Sequence, residues 1–134
     1  MFLDDHKVTV EAPTVTGTTT IDSAAYDMAG FAEIAFIVRL GTPAANNNIR
    51  AQQSTSSGGS YNDLQGTLVN DNAKNQHMLV INKPGKEFVR CRVTRGTSTT
   101  IDSITVIQTR SRIRPVTQPT SVGEQWVSPP EGTA

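Results

Sequence analysis

The chain has 134 residues, 12 Lys plus Arg against 12 Asp plus Glu, 5% aromatic residues and a single cysteine. That length suits one domain burying about two-thirds of its unfolded surface. The balanced charge argues against a dedicated nucleic-acid binder or an acidic tail, and a lone cysteine excludes an intramolecular disulfide.

The opening "MFLDDHKVTV" lacks the charged-then-apolar order of a signal peptide, and no apolar run approaches the ~20 residues that span a bilayer. A soluble product of the cytoplasm with no membrane association is the expectation. Within it, "KVTV" and then "TTTID" are weak strands, and "SAAYDMAGFAE" is either one helical turn or a turn into the next strand. "FAEIAFIVRL" is the strongest element: Ala32, Ile34, Phe36, Val38 and Leu40 share one side, while Ala35 and Ile37 lie between Glu33 and Arg39 on the other. This predicts a central strand covered on both faces. "NIRAQQS" sets Ile49, Ala51 and Gln53 against Arg50 and Gln52, and "HMLVIN" is a short continuous apolar run followed by the Pro-Gly turn of "KPGKE". "EFVRCRVTR" points Val89, Cys91 and Val93 inward with Arg90, Arg92 and Thr94 outward, which makes Cys91 a small buried hydrophobe. "DSITVIQTR" repeats the rule, with Ile104 and Val106 opposite Thr105 and Ile107.

The intervening stretches "LGTPAANNN", "STSSGGSYND", "VNDNAKNQ" and "RGTSTT" are built from turn-forming residues. Short β-branched strands separated by such loops predict an all-β fold, an antiparallel β-sandwich or jelly roll. The domain spans residues 1–114, with an extended C-terminal arm over 115–134.

Residues 1–70 hold seven acidic side chains against three basic, and the remainder nine basic against five acidic, so the two halves can offer faces of opposite sign. Chemistry finds no foothold. His6 and His77 are about seventy positions apart without ligand spacing and are expected on the surface. "NDNAKN" lacks the closing Glu of a calcium loop, "SSGGS" lacks the strand and Lys-helix context of a phosphate cradle, and no nucleophile-base-acid order assembles. No enzyme activity, catalytic residue, metal or cofactor is expected.

The arginines are the sharper feature. Arg90, Arg92, Arg95, Arg110, Arg112 and Arg114 fall within twenty-five residues. If "QTRSRIR" continues as a strand, Arg110, Arg112 and Arg114 line one edge about 6.6–6.8 Å apart. No aromatic residue is interleaved with them, and arginine's planar fork suits carboxylates and carbonyls at protein interfaces. A protein partner is favoured over nucleic acid. Beyond them, Pro115, Pro119, Pro129 and Pro130 hold the arm extended, and Trp126 with Val127 is its candidate apolar anchor, the other reading being that Trp126 folds back onto its own sandwich. Arg110, Arg112, Arg114, Trp126 and Val127 are therefore the candidate protein-interface residues.

The order "AYDMAGFAEIAFIVRLGT", "IRAQQSTSSGGSYNDLQGT", "FVRCRVTRGTSTTIDSITVIQTRSRIRPV" and "SPPEGTA" resembles small structural proteins of tailed bacteriophages. In that group "D-M-x-G-F" introduces the central strand, "A-Q-Q-S-T" the next, "V-R-x-x-x-T-R-G" the penultimate one, and the chain ends near "S-P-x-E". The resemblance covers roughly residues 20–134, departing at "TRSRIRP" and at Phe88. It implies a virion component on the capsid exterior, a head decoration or cement protein. Its partners would be the major capsid protein and copies of itself, as a trimer or dimer. A carbohydrate- or receptor-binding module of a tail or fibre is the alternative, with Tyr26, Tyr61 and Trp126 as its aromatic candidates.

Overall fold

Side-chain alternation with a period of two governs every long element of the computed structural model, which describes residues 2–13, 16–111, 114–121 and 123. A short helix α1 (Phe2–Asp5) is followed by β1 (Lys7–Glu11), β2 (Thr16–Gly17), β3 (Ile21–Asp22), β4 (Tyr26–Asp27) and β5 (Glu33–Leu40). The second half supplies β6 (Asn48–Ser54), β7 (Asn62–Asp63), β8 (Gln76–Asn82), β9 (Phe88–Thr94) and β10 (Thr99–Thr109). β1 and β2 lie end to end along β10, and β3 and β4 lie end to end along β9, so the segments fill eight strand positions. Sheet I runs β1/β2, β10, β5, β8; sheet II runs β3/β4, β9, β6, β7. In chain order these are positions 1-8-3-6 and 2-7-4-5, all antiparallel, which is the wrapping of a jelly-roll sandwich. The sandwich expected from the sequence is the fold.

The core lies between the sheets. Ile34, Phe36, Val38 and Leu40 of β5, with Ile101, Ile104 and Val106 of β10, face Ile49, Ala51, Val89, Cys91 and Val93 of sheet II, all fully buried. Each large member contributes on the order of 1.5–3 kcal/mol through removal from water. Tyr26 packs edge-on against Phe36 at 6.1 Å between ring centroids.

Polar groups lock the ends. Glu11 of sheet I accepts the Tyr26 hydroxyl of sheet II and the Ala24 amide of the link between β3 and β4, tying the first strands of the two sheets together. Arg95, 3% exposed, donates to Thr19 O, Thr99 O and Thr19 Oγ1 at 2.7–2.9 Å and closes the loop between β2 and β3. Gly96 beside it has no room for a side chain, because a Cβ there would stand 1.9 Å from Ala45 O.

Of its two expected forms, the stretch "SAAYDMAGFAE" takes the second, β4 and a turn into β5; Asp27 Oδ1 accepts the Ala29 amide at 2.8 Å, and Gly30 takes a φ of 82° that suits glycine. Two expectations are corrected. β10 stops at Thr109 instead of running on through Arg114, since Arg110 adopts a left-handed φ of 58° and the next amide, Ser111, turns to Asp5 Oδ1 at 3.0 Å. His77 is 2% exposed, not solvated, because alternation in β8 sends it inward with Leu79 and Ile81. Gln52 sits on the outer side of β6 yet is buried, covered by its bonds to Asp63 and Arg90.

Candidate protein interface

The outer face of sheet I is the most distinctive surface among the described residues. Strand register places four rows across it. Two central rows are almost wholly apolar: Val8, Ile107, Ala35, Val80, and next to it Val10, Thr105, Ile37, Met78. The flanking rows are polar, with Thr109, Glu33 and Asn82 at one end and Ser103, Arg39 and Gln76 at the other. Four strand widths of ~4.8 Å by two row widths of ~6.8 Å give the apolar part roughly 260 Å², comparable to the largest apolar patch of an ordinary soluble monomer, which is often a functional one. An apolar centre inside a polar rim is the anatomy of a protein interface. Val10, Met78 and Val80 are 54%, 61% and 55% exposed, so no described segment covers its two sides.

Residues 3–8 and 114–118 meet at the edge of that face. Arg114 Nη2 lies 3.1 Å from Asp5 Oδ1, and the Val116 amide donates to Asp4 O at 3.0 Å. Gln118, 9% exposed, clamps the strand edge: its Oε1 accepts the Val8 amide at 2.9 Å while its Nε2 donates to Leu3 O at 3.1 Å and His6 O at 2.5 Å. His6 is itself held, donating from Nδ1 to Phe2 O and stacking on the Phe2 ring. Residues 115–118 thus lie against the chain's own first strand. Of the candidate interface residues, Arg110 is exposed at the turn after β10 and Arg114 pairs with Asp5; Arg112, Trp126 and Val127 lie outside the described residues. Arg110 and Arg114 do not form an edge row, because the strand ends before them.

The outer face of sheet II is polar and internally matched. Arg92 grips Asp22 with two hydrogen bonds, Nε to Oδ1 at 2.7 Å and Nη2 to Oδ2 at 2.9 Å. Arg90 lies 3.3 Å from the same carboxylate and 4.0 Å over the Tyr61 ring, and Arg50 lies 3.3 Å from Asp63. The Arg92 hydrogen bonds, reinforced by the charges of Arg90 and Arg92, hold the Asp22 carboxyl below the usual carboxylate range despite partial burial. With Arg95 buried in the loop closure, the arginines of β9 and its flank are engaged in the fold rather than arrayed for phosphates. The tyrosines are engaged as well: Tyr26 is buried, with its hydroxyl pushed well above its ordinary value by burial and Glu11, and one face of Tyr61 is covered by Arg90. Burial pushes the Cys91 thiol up to about 12.

Sequence reading missed Met78 and Val80. "HMLVIN" reads only as a continuous apolar run, which does not separate its faces; His77, Leu79 and Ile81 face the core, and Met78 and Val80 face out. The available signal was the parallel run of apolar residues on the Ala35–Ile37 side of β5, which required a second apolar layer that no described segment provides.

Among the described residues no helix is long and apolar enough to cross a membrane. No protein-family model matches the chain, and no curated protein does. Among solved structures, the crystal structure of SPBc2 prophage-derived protein YomS aligns over 81% of this chain and 97% of its own length, at 13% identity and a TM-score of 0.48. It is a likeness that carries no inference about function.

Proposed function

We propose that this chain is a structural protein of a phage particle, a decoration or cement protein that binds the major capsid protein on the outside of the head and works by adhesion rather than catalysis. The observation that carries the reading is the apolar outer face of sheet I, presented on a rigid sandwich and rimmed by polar rows. The order of the motifs in residues 20–134 supports the phage assignment. Many copies on a lattice add modest contacts into firm attachment, so a patch of this size suffices. The arm that reaches a neighbour begins after Gln118 in this reading, since Val116 and Gln118 are bonded to the chain's own α1 and β1 region; Trp126 is its anchor.

The test uses heads of the encoding phage assembled without this chain. Wild-type protein should co-sediment with them. The double variant Val10→Lys, Ile37→Lys should bind at least about tenfold more weakly, as two apolar contacts of ~1.5–3 kcal/mol each are lost. Truncation after Ser121 should weaken binding while leaving the fold intact by circular dichroism. Wild-type protein that ignores the heads removes the proposal, and unchanged binding by the double variant removes the face from it.

A further inference from the structure

A sandwich has four sheet edges, and three of them are closed off here. β3 and β4 are two-residue pieces, and β7 has two residues ending in Asp63. β1 is five residues flanked by Lys7 and Glu11, with Gln118 bonded to its outward amide at Val8 and Pro13 shortly after it. Short, interrupted, charged or covered edges are the devices that prevent strand-to-strand association.

Within its own span β8 has none of these devices, although Lys83 and Pro84 follow its last residue. It is seven residues long, holds no Lys, Arg, Asp, Glu or Pro, and pairs only with β5. Its hydrogen-bond parity follows from its flanks: the Leu40 amide donates to Asn75 O and the Lys83 amide to Ala32 O, so the odd-numbered residues 75 to 83 face β5. The N–H and C=O groups of Gln76, Met78, Val80 and Asn82 therefore point away from the sheet. All four residues are exposed, and among the described residues no hydrogen bond reaches their backbone groups. The two most exposed apolar side chains of sheet I, Met78 and Val80, stand on this same strand.

We infer that β8 is the site at which a second copy of this chain docks, strand to antiparallel strand across a two-fold axis at Leu79. The strand is complementary to itself in one register. Met78 then faces Val80 of the other copy and Gln76 faces Asn82, apolar against apolar and amide against amide. The four outward residues form hydrogen-bonded pairs with their symmetry mates, in keeping with the parity above. Lys74 and Lys83 flank the strand but fall opposite Pro84 and Asn75 of the other copy, so no lysines confront each other. The contact is isologous, as a two-fold requires, and runs about 24 Å for seven residues. An edge contact of this length falls short of the ~1,200–2,000 Å² of standard stable interfaces, so the dimer forms with rising concentration, as on a crowded lattice. Pairing makes one eight-stranded sheet and joins the two apolar outer faces into a single surface. The inference stands on the edge geometry and does not depend on head binding.

Sedimentation of the full chain without heads tests it. Wild-type protein should pass from monomer to dimer across the micromolar to millimolar range. Val80→Pro removes an outward amide without touching the β5 ladder and should weaken association at least about tenfold, two symmetry-related hydrogen bonds being lost. Val80→Lys, which needs no backbone adjustment, should do the same. The double variant Met78→Cys, Val80→Cys should cross-link as a dimer under mild oxidation, because directly opposed hydrogen-bonded residues sit ~5.5 Å apart, within disulfide reach; Met78→Cys alone should not. Wild-type protein that stays monomeric throughout overturns the inference. So does a dimer indifferent to both Val80 variants, or a double-cysteine variant that fails to cross-link.

Discussion

Replacing Gln118 by Ala removes a side chain that makes three hydrogen bonds to the first strand region: one accepted from the Val8 amide and two donated to Leu3 O and His6 O. Net values of ~0.5–1.5 kcal/mol per bond would sum to roughly 1.5–4.5 kcal/mol. The two carbonyls lie near the surface, where water replaces part of the loss, so the expected cost is about 2 kcal/mol. For a chain of this size that lowers Tm by about 6–10 °C. Gln118→Glu sharpens the test. A carboxylate keeps an acceptor for Val8 but cannot donate to either carbonyl and sets negative charge beside both, so it should cost at least as much as Ala. Thermal and urea unfolding measure the stability, and hydrogen exchange at the Val8 amide reports the clamp directly, with protection expected to fall in Gln118→Ala. A Tm within about 1 °C of wild type, with Val8 protection unchanged, would refute the claim that Gln118 closes the β1 edge.

Phe36→Ala, which empties the largest fully buried position of the core, should cost about 3–5 kcal/mol in urea unfolding. Cys91, with its thiol pushed up to about 12 by burial, should resist a thiol reagent at pH 8 in the folded protein and react fully once unfolded. Asp22 has a folded pKa below its unfolded value, so its contribution is fully present above the unfolded value near 3.8 and is lost as pH falls through the lower folded value. The wild-type urea midpoint should therefore exceed that of Asp22→Asn at neutral pH, and the gap should close as the pH drops below 4.

The strands that form the core were legible because strict alternation needs no tertiary knowledge. Ile34, Phe36, Val38 and Leu40, and again Val89, Cys91 and Val93, announce one buried face each. The pairing order was not legible, since which strands meet depends on the wrapping of the whole chain. β8 shows the limit of pattern: an apolar run looks the same whether both faces are buried or one waits for a partner. His77 was misread for the same reason, because its polarity outweighed its register. The end of β10 was hidden as well. "QTRSRIR" alternates like a strand, and only the Ser111 contact with Asp5, 106 residues away in the chain, shows why it turns at Arg110. The candidate interface was half visible: Ala35 and Ile37 could be seen as a second apolar side of β5, but not the rows they complete with Val8, Val10, Ile107, Met78 and Val80.

The most direct measurement is an electron cryomicroscopy reconstruction of heads of the encoding phage carrying this chain. Density for the sandwich is expected on the capsid exterior, with the outer face of sheet I, centred on Ile37 and Val10, pressed against capsid protein. A particle without this density, or a sandwich bound with that face turned to solvent, contradicts a role in capsid decoration through sheet I.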